Sequence, residues 1–541
     1  MSEKNRRSNY MKQGGIRYSA AWCMLLMFLV KIIYMSYKTG MQGMTYYVGA
    51  DAVFLIMDIF LGMAVVPILK RMVYFQVNHG SYRNAVKVYR VISGLMTALA
   101  GIVAVIIIFL STEISMLLFG TKLCSLLLKI MAVAILFRIP TFVLKGYVEG
   151  RSNPMPGIVS DVLTHVTGLL FTILFQPVFA QYGRKVAALM RCDDYAYAYA
   201  VCSGALGLAV GGLAGFLFLF FIKTVFGKDI KARMRGEESR KTDSAQDILW
   251  NFFGNYIKTA LAGNIGVLLA IVLLILYSHM PDKMQNGAGM LYAGVVIPVL
   301  PAGLLAMQIG TVFTRQLAPI MKQADFHHAK EKTAFFLKLL SYSLLPYAFA
   351  VFALAPLVGT TFFDTESVEL VSLIRIGALV AILLFYSIFF RQMLAVLVKP
   401  YLRNIYAALL GVFGIVFIII LDKSGQGAEK GAACAYLLAC LFYLLLICFV
   451  IFKKIRIYNR LVGSVVMPFA AAVISAAASF GLFLLFNGKI PAWILLVVCA
   501  ALLYAIYTVA IVLLRVFEPH EWSGVPANGL PVAFAKLMGR Y

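Results

Sequence analysis

The chain has 541 residues, 62% hydrophobic and 13% charged, with a formal net charge of +25. Soluble domains carry roughly 25% charged residues, so this composition excludes an ordinary soluble domain, and the long continuous apolar runs exclude a β-barrel of alternating strands. The basic excess lies between apolar runs, which is the pattern of cytoplasmic loops and not of a nucleic-acid surface.

A helix needs about 20 apolar residues to cross the hydrocarbon core. That rule predicts an all-α membrane protein with about fourteen transmembrane spans. They are 16–37, 47–70, 88–111, 123–148, 156–180, 196–225, 248–279, 288–316, 334–359, 368–397, 402–421, 431–452, 463–486 and 490–516. Lys4, Arg6, Arg7 and Lys12 precede the first run. No small-residue cleavage site follows it, so it reads as an uncleaved helix and not as a signal peptide.

Span 1 carries Arg17 and Lys31, fourteen residues apart and so on one helical face. Span 2 carries Asp51 and Asp58 at i, i+7. These carboxylates are either ion ligands or counter-charges for Lys31 and other buried cations. Span 4 has Arg138 and Lys145 on either side of Pro140. Span 5 has Asp161 and His165, too few ligands for a metal site and spaced for a local hydrogen bond. Span 6 has Gly207, Gly211 and Gly215 at i, i+4, i+8, a spacing that allows close helix packing. Span 7 opens with a polar stripe of Asn251, Asn255 and Lys258. Span 8 ends with Gln308, Thr311 and Arg315 on one face, and span 10 carries Arg391.

Topology follows from Lys and Arg placement. Lys70, Arg71, Arg83 and Lys87 follow span 2; Lys228, Lys231, Arg233, Arg235, Arg240 and Lys241 follow span 6; Lys322, Lys330 and Lys332 follow span 8; Lys453, Lys454, Arg456 and Arg460 follow span 12. Alternate loops are poor in net positive charge, so both termini are expected in the cytoplasm. Arg184, Lys185 and Arg191 break the pattern.

The chain also repeats itself. Residues 127–136 align without a gap to 373–382, and at the same shift of 246 residues Lys145 meets Arg391. Near that shift, Ser81–Ala85 meets Asp325–Ala329. Six spans separate the copies. An even number preserves orientation, so two parallel six-helix lobes are expected, followed by two further helices. The expected parts are an N-terminal lobe over 1–226, a basic linker over 227–246, a C-terminal lobe over 247–455, and the last two spans with a cytoplasmic tail over 456–541.

Charges inside membrane helices are costly and tend to face a bundle interior or a wet cavity. Those of spans 1, 4, 7, 8 and 10 are mostly basic, so a cavity lined by them would attract an anion, and Arg and Lys suit phosphate oxygens. A diphosphate head with a bulky polar group is a fitting guest. No GxxxxGK[ST], HExxH or GxSxG motif occurs, so no enzyme, nucleotide or metal chemistry is expected. The eight cysteines contain no CxxC pair and most lie in apolar runs, so no disulfide framework is expected.

At the turn between spans 4 and 5 the chain reads Lys145-Gly146-Tyr147-Val148-Glu149-Gly150, then Asn153-Pro154 and Ser160-Asp161. After span 2 it reads Gly80 to Ala85 as Gly-x-x-x-x-Ala. With the helix count and duplication, this resembles the multidrug/oligosaccharidyl-lipid/polysaccharide (MOP) exporter superfamily. The likeness is to its polysaccharide-exporter branch, with the stage V sporulation protein B and MurJ-like lipid II flippases. Glu149 and Asp161 stand where that family more often has Gln, and Thr164 where it often has Glu.

The resemblance implies a flippase in the bacterial cytoplasmic membrane. Its cargo would be a polyprenyl-diphosphate-linked glycan, either lipid II or a polysaccharide repeat unit. It implies a basic cavity between lobes, with Arg17, Lys31, Lys145, Lys258, Arg315 and Arg391 as diphosphate contacts. Asp51 and Asp58 would be counter-charges or ion-coupling groups, and Asn251 and Asn255 polar lining. No cofactor is expected beyond an ion gradient or membrane potential. Expected partners are the lipid-linked glycan, membrane lipids and envelope-synthesis enzymes. The alternatives are a drug/cation antiporter of the same superfamily and a non-transporting envelope-assembly scaffold.

Overall fold

A computed structural model describes residues 3–536 apart from 152, 238–241, 281–282, 324, 398–399, 423–427, 456–457, 526–531 and 534–535. Of the loop charges, Arg240, Lys241 and Arg456 therefore lie outside the described residues. Everything regular among the described residues is helical. This follows from the solvent, since a backbone in lipid must satisfy its own N–H and C=O groups. Eleven helical segments are long and apolar enough to cross a membrane, so the chain is a multi-pass membrane protein. Gly15–Asn78 is one of them, at 64 residues; Gly266–Tyr277 and Ala408–Ile420 are shorter apolar stretches.

The chain forms two compact units, Met1–Gly289 and Met290–Tyr541. The first begins with α1 (Glu3–Met57), broken at Gly40, whose φ of 67° is left-handed and suits glycine. A π-helical turn over Asp58–Met63 leads into α2 (Val65–Asn78). Then come α3 (Tyr82–Phe119), α4 (Ser125–Gly150), α5 (Met155–Met190), the short α6 (Asp194–Ala200), α7 (Cys202–Arg235) and α8 (Ala245–Tyr277). Gly120, with φ of 66°, ends α3 as a left-handed cap. Ser244 caps α8 by accepting from the Asp247 backbone N–H at 3.1 Å. Arg184 and Lys185, which break the loop-charge pattern, lie on the long C-terminal part of α5. The expected linker begins as helix, because α7 runs on to Arg235.

Across the unit boundary runs α9 (Gly287–Leu291). The second unit continues with α10 (Ile297–Lys322), α11 (Phe326–Ala353), α12 (Ala355–Phe363), α13 (Val368–Leu397), α14 (Pro400–Asp422), α15 (Ala428–Ile455), α16 (Tyr458–Leu461), α17 (Met467–Phe486) and α18 (Ala492–Leu513). Asp325 caps α11 through the His328 N–H, and that hydrogen bond holds its carboxyl below the usual carboxylate range. α17 and α18 pack on each other and on α11, and α18 also packs on α12, where Leu354, Leu357, Phe483, Leu495 and Cys499 form a core. Ser479 closes the pair by donating to the Cys499 carbonyl at 2.8 Å.

The two units share a packing plan. In the first, α4 packs against α2, α3 and α7; in the second, α13 packs against α10, α11 and α15. The buried positions also coincide. Leu127, Leu128, Met131, Ala132, Ala134 and Ile135 are buried on α4, and Leu373, Ile374, Gly377, Ala378, Val380 and Ala381 on α13. Each pair is separated by the 246 residues of the sequence repeat. One element departs from the plan. α8, at the start of the expected second lobe, packs against α1, α2 and α3 of the first unit.

The glycines of α7 do what their spacing predicts. Cβ atoms at Gly207, Gly211 and Gly215 would collide with Thr172, Gly168, Thr164 and Ser160 of α5. The two helices therefore touch backbone to backbone.

Candidate functional site

The first unit concentrates ionisable side chains where α1, α2, α4 and α5 converge. Backbone contact brings the helices together. A Cβ at Gly150 would lie 2.7 Å from Val73 Cβ and 3.0 Å from the Lys70 carbonyl oxygen, and one at Gly146 would lie 3.2 Å from Leu69 Cβ. The glycines of the Lys-Gly-Tyr-x-x-Gly run thus seat α4 on α2. The same close approach sets Glu149 beside Lys70.

Two charged groups form at that end. Glu149, buried on α4, accepts from Lys70 Nζ at 2.7 Å, and Arg17 Nη2 of α1 lies 3.6 Å from the same Oε2. Lys145, one turn earlier on α4, pairs with Asp161 of α5. Gly157 in the first turn of α5 joins the groups, since a Cβ there would lie 2.8 Å from Glu149 Oε1 and 3.1 Å from Lys145 Cγ. A neighbouring ladder has Lys223 of α7 over the Tyr89 ring at 4.4 Å, Tyr89 against Tyr147 at 4.4 Å, and Arg151 over Tyr147 at 5.9 Å. These cations thus lie over aromatic faces, a favourable placement for them.

A third group lies deeper. Arg138 Nε donates to Asp58 Oδ1 at 2.8 Å, with Phe142 and Phe54 flanking the guanidinium. Asp58 is 2% exposed and its Oδ2 has no hydrogen-bond partner. Gly62, in the π-turn that Asp58 opens, sits against Phe142 with no room for a Cβ. Lys31, 5% exposed, donates to Tyr47 Oη at 2.9 Å and lies over the Phe28 and Tyr47 rings. The buried Asp51 supplies the opposite charge acting on it.

Asp58 is a counter-charge to a buried cation, and that cation is Arg138, because Arg138 on α4 reaches the π-turn while Lys31 meets Tyr47 within α1. His165 does bond locally, at 2.8 Å, but to the Asp161 backbone carbonyl; the Asp161 carboxylate goes to Lys145. Arg138, Lys70 and Glu149 join the site although the sequence alone does not single them out as contacts. Their signal was present in Glu149 at i+4 from Lys145, and in two acids at the motif positions where the resemblance leads one to expect glutamine.

In the second unit Arg315 is exposed on α10 and Arg391 half-buried on α13. Beside them, Gln392 Nε2 donates to the Met307 carbonyl at 3.1 Å. In α8 of the first unit, Asn251 and Asn255 are exposed, and Asn255 Nδ2 donates to the Asn251 carbonyl at 3.4 Å. The side chain of Lys258 lies outside the described residues. No group of three or more potential metal ligands occurs among the described residues.

The described residues are thus helical and multi-pass, with ion pairs between the helices. Comparison with solved structures gives its fold: the chain has that of the MOP exporter superfamily. It is similar to the lipid II flippase MurJ in an inward closed conformation, with a TM-score of 0.64 and 14% identity over 91% of this chain and 97% of that one. An inward-facing multidrug resistance MATE transporter of the MOP superfamily matches with a TM-score of 0.57 and 13% identity, over 83% of this chain and 98% of that one. A eukaryotic MATE transporter matches with a TM-score of 0.51 and 13% identity, over 82% and 98%. No protein-family model and no curated protein matches the sequence.

Proposed function

We propose that the protein is a flippase that carries a polyprenyl-diphosphate-linked glycan across the bacterial cytoplasmic membrane by alternating access. The observation that carries this reading is the run of basic side chains at the α1–α2–α4–α5 junction. Arg17 and Lys70 keep about two-fifths of their side-chain surface exposed beside Glu149. A diphosphate needs paired cations of this kind, since its charge cannot enter hydrocarbon unaided. In this reading Arg17, Lys31, Lys145, Lys258, Arg315 and Arg391 meet the diphosphate during the cycle, and Asn251 and Asn255 line its path. The glycan is lipid II or a polysaccharide repeat unit. No cofactor takes part, and an ion gradient or the membrane potential drives the cycle.

The membrane arrangement is part of the proposal. Fourteen crossings arise if Gly15–Asn78 crosses twice and α8 and α14 cross once each. At ~1.5 Å per residue, a 64-residue segment exceeds twice a ~30 Å core. An even number of crossings puts both termini on one side, which the Lys and Arg loops make the cytoplasmic one, and the lobes are parallel repeats spanning 1–226 and 247–455. The shared burial of α4 and α13 supports the duplication.

Purified protein in liposomes tests the function. It should expose a labelled lipid-linked glycan on the opposite leaflet, and Arg17→Gln with Lys145→Gln should reduce that rate at least about tenfold, each cation supplying a charged hydrogen bond. A folded double variant that flips at the full rate rules out the basic cluster. Protein with no flipping activity points to an envelope-assembly scaffold instead.

A drug/cation antiporter is the second reading. The buried Asp51 and the unpartnered Oδ2 of Asp58 favour it, as carboxylates poised to exchange an ion. Drug resistance conferred on a sensitive strain, and lost with Asp58→Asn, would support it.

A further inference from the structure

The Arg17–Lys70–Glu149 group differs from the two other ion pairs at the helix junction of the first unit. Asp58 answers Arg138 and Asp161 answers Lys145, one carboxylate to one cation. Here one carboxylate oxygen, Glu149 Oε2, serves two cations, at 2.7 Å and 3.6 Å. The carboxylate is buried, with 9% of its side chain exposed, while Lys70 and Arg17 keep 37% and 41%. Both cations therefore rest on a buried anion and turn an accessible side outward. The site carries a net charge of +1 where two bare cations would carry +2. The α5 first turn at Gly157 adds positive helix-dipole potential on the other side of Glu149.

We propose that Glu149 is a built-in competitor for an anion site formed by Arg17 and Lys70. It weakens that site for the phosphate groups of a lipid-linked headgroup so that bound cargo can move on. Lys70 thereby becomes a cargo contact, although its place at the end of span 2 marked it only as a topology charge. The inference rests on the flippase reading and deepens it.

The reason is a requirement of transport. A cargo site must bind well enough to load and weakly enough to unload. Two cations held close, partly out of water, would hold a diphosphate tightly. A fixed carboxylate beneath them lowers the attraction without occupying the face the cargo uses. Attraction scales with ligand charge, so Glu149 penalises a diphosphate more than a singly charged phospholipid. Lys145 with Asp161 lies next along α4, joined through Gly157. Cargo released from the first pair has a second cation within one helical turn.

Glu149→Gln tests this, since the carboxamide keeps the size of the side chain and an oxygen for Lys70. Binding is measured on purified full-length protein in nanodiscs by native mass spectrometry, with two probes: a polyprenyl diphosphate and phosphatidylglycerol. Glu149→Gln should tighten the diphosphate about tenfold and phosphatidylglycerol about threefold, following ligand charge. It should also slow flipping at saturating cargo, because release becomes limiting. Lys70→Gln should weaken diphosphate binding about fivefold. The proposal is overturned if Glu149→Gln, with an unchanged melting temperature, leaves diphosphate affinity unaltered or lowers it. Glu149 would then be a tether that orients the cations. A wild-type protein that does not prefer the diphosphate lipid instead overturns the flippase reading, a separate result.

Discussion

Arg138 and Asp58 form the most buried of the ion pairs described. Their geometry is that of a charge-assisted hydrogen bond, 2.8 Å long, beside aromatic rings. Removing one partner strands the other charge in a dry site. Arg138→Gln should therefore destabilise the folded protein by about 3–5 kcal/mol, read as a lower melting temperature in detergent. The double variant Arg138→Met with Asp58→Leu should recover most of that loss, because a buried pair can be exchanged for apolar packing at little cost. If the double variant melts no higher than the single one, the pair has a role beyond mutual neutralisation. Lys31 is held differently, by a phenol and two ring faces. An aromatic clamp of that kind could not be read from the spacing of Arg17 and Lys31. It depends on Tyr47 folding back toward Lys31 beyond the break at Gly40.

At the level of the helix, glycine decides what can approach. Gly207, Gly211 and Gly215 let α7 lie against α5, and Gly146 and Gly150 let α4 lie against α2. Gly211→Leu should cost about 1–3 kcal/mol through overpacking, visible as a lower melting temperature, whereas the same change at Gly254, where no atom lies within 4 Å of a Cβ, should be nearly silent. Equal effects at the two positions would show that the α5–α7 contact is not tight. The α7 stripe was legible from its period of four. The α4 pair was legible only as a motif. Its partner, the α2 face over Leu69–Val73, is defined by contacts some eighty residues away in the chain. The π-turn at Asp58 was not legible at all, because an extra residue in a helical turn has no distinct composition.

For the molecule as a whole, the proposed arrangement sets an orientation in the membrane. Cys192 is exposed at the turn between α5 and α6. With both termini in the cytoplasm, it should react with a membrane-impermeant maleimide added to intact cells. A cysteine placed at His79, in the turn between α2 and α3, should react only after permeabilisation. The reverse pattern would invert the topology and put Arg17, Lys70 and Glu149 at the outer face. The Lys and Arg loops predict the first outcome. Arg184, Lys185 and Arg191, close to the Cys192 turn, make it a demanding test of that rule.

The sequence by itself determined the class of molecule. Lipid permits few backbone solutions, so long apolar runs are enough to specify helices, their order and, through the 246-residue shift, the matched burial of α4 and α13. The fold similarity to MOP exporters agrees with what the motif and helix pattern implied. Only the tertiary structure decided which charges meet. Lys70 with Glu149, Lys145 with Asp161 and Arg138 with Asp58 join residues 79, 16 and 80 positions apart. Charged side chains at similar depths are interchangeable by composition. Which of them come within hydrogen-bond reach depends on helix rotation, on glycine contacts and on one π-turn, and none of these is written in the local pattern.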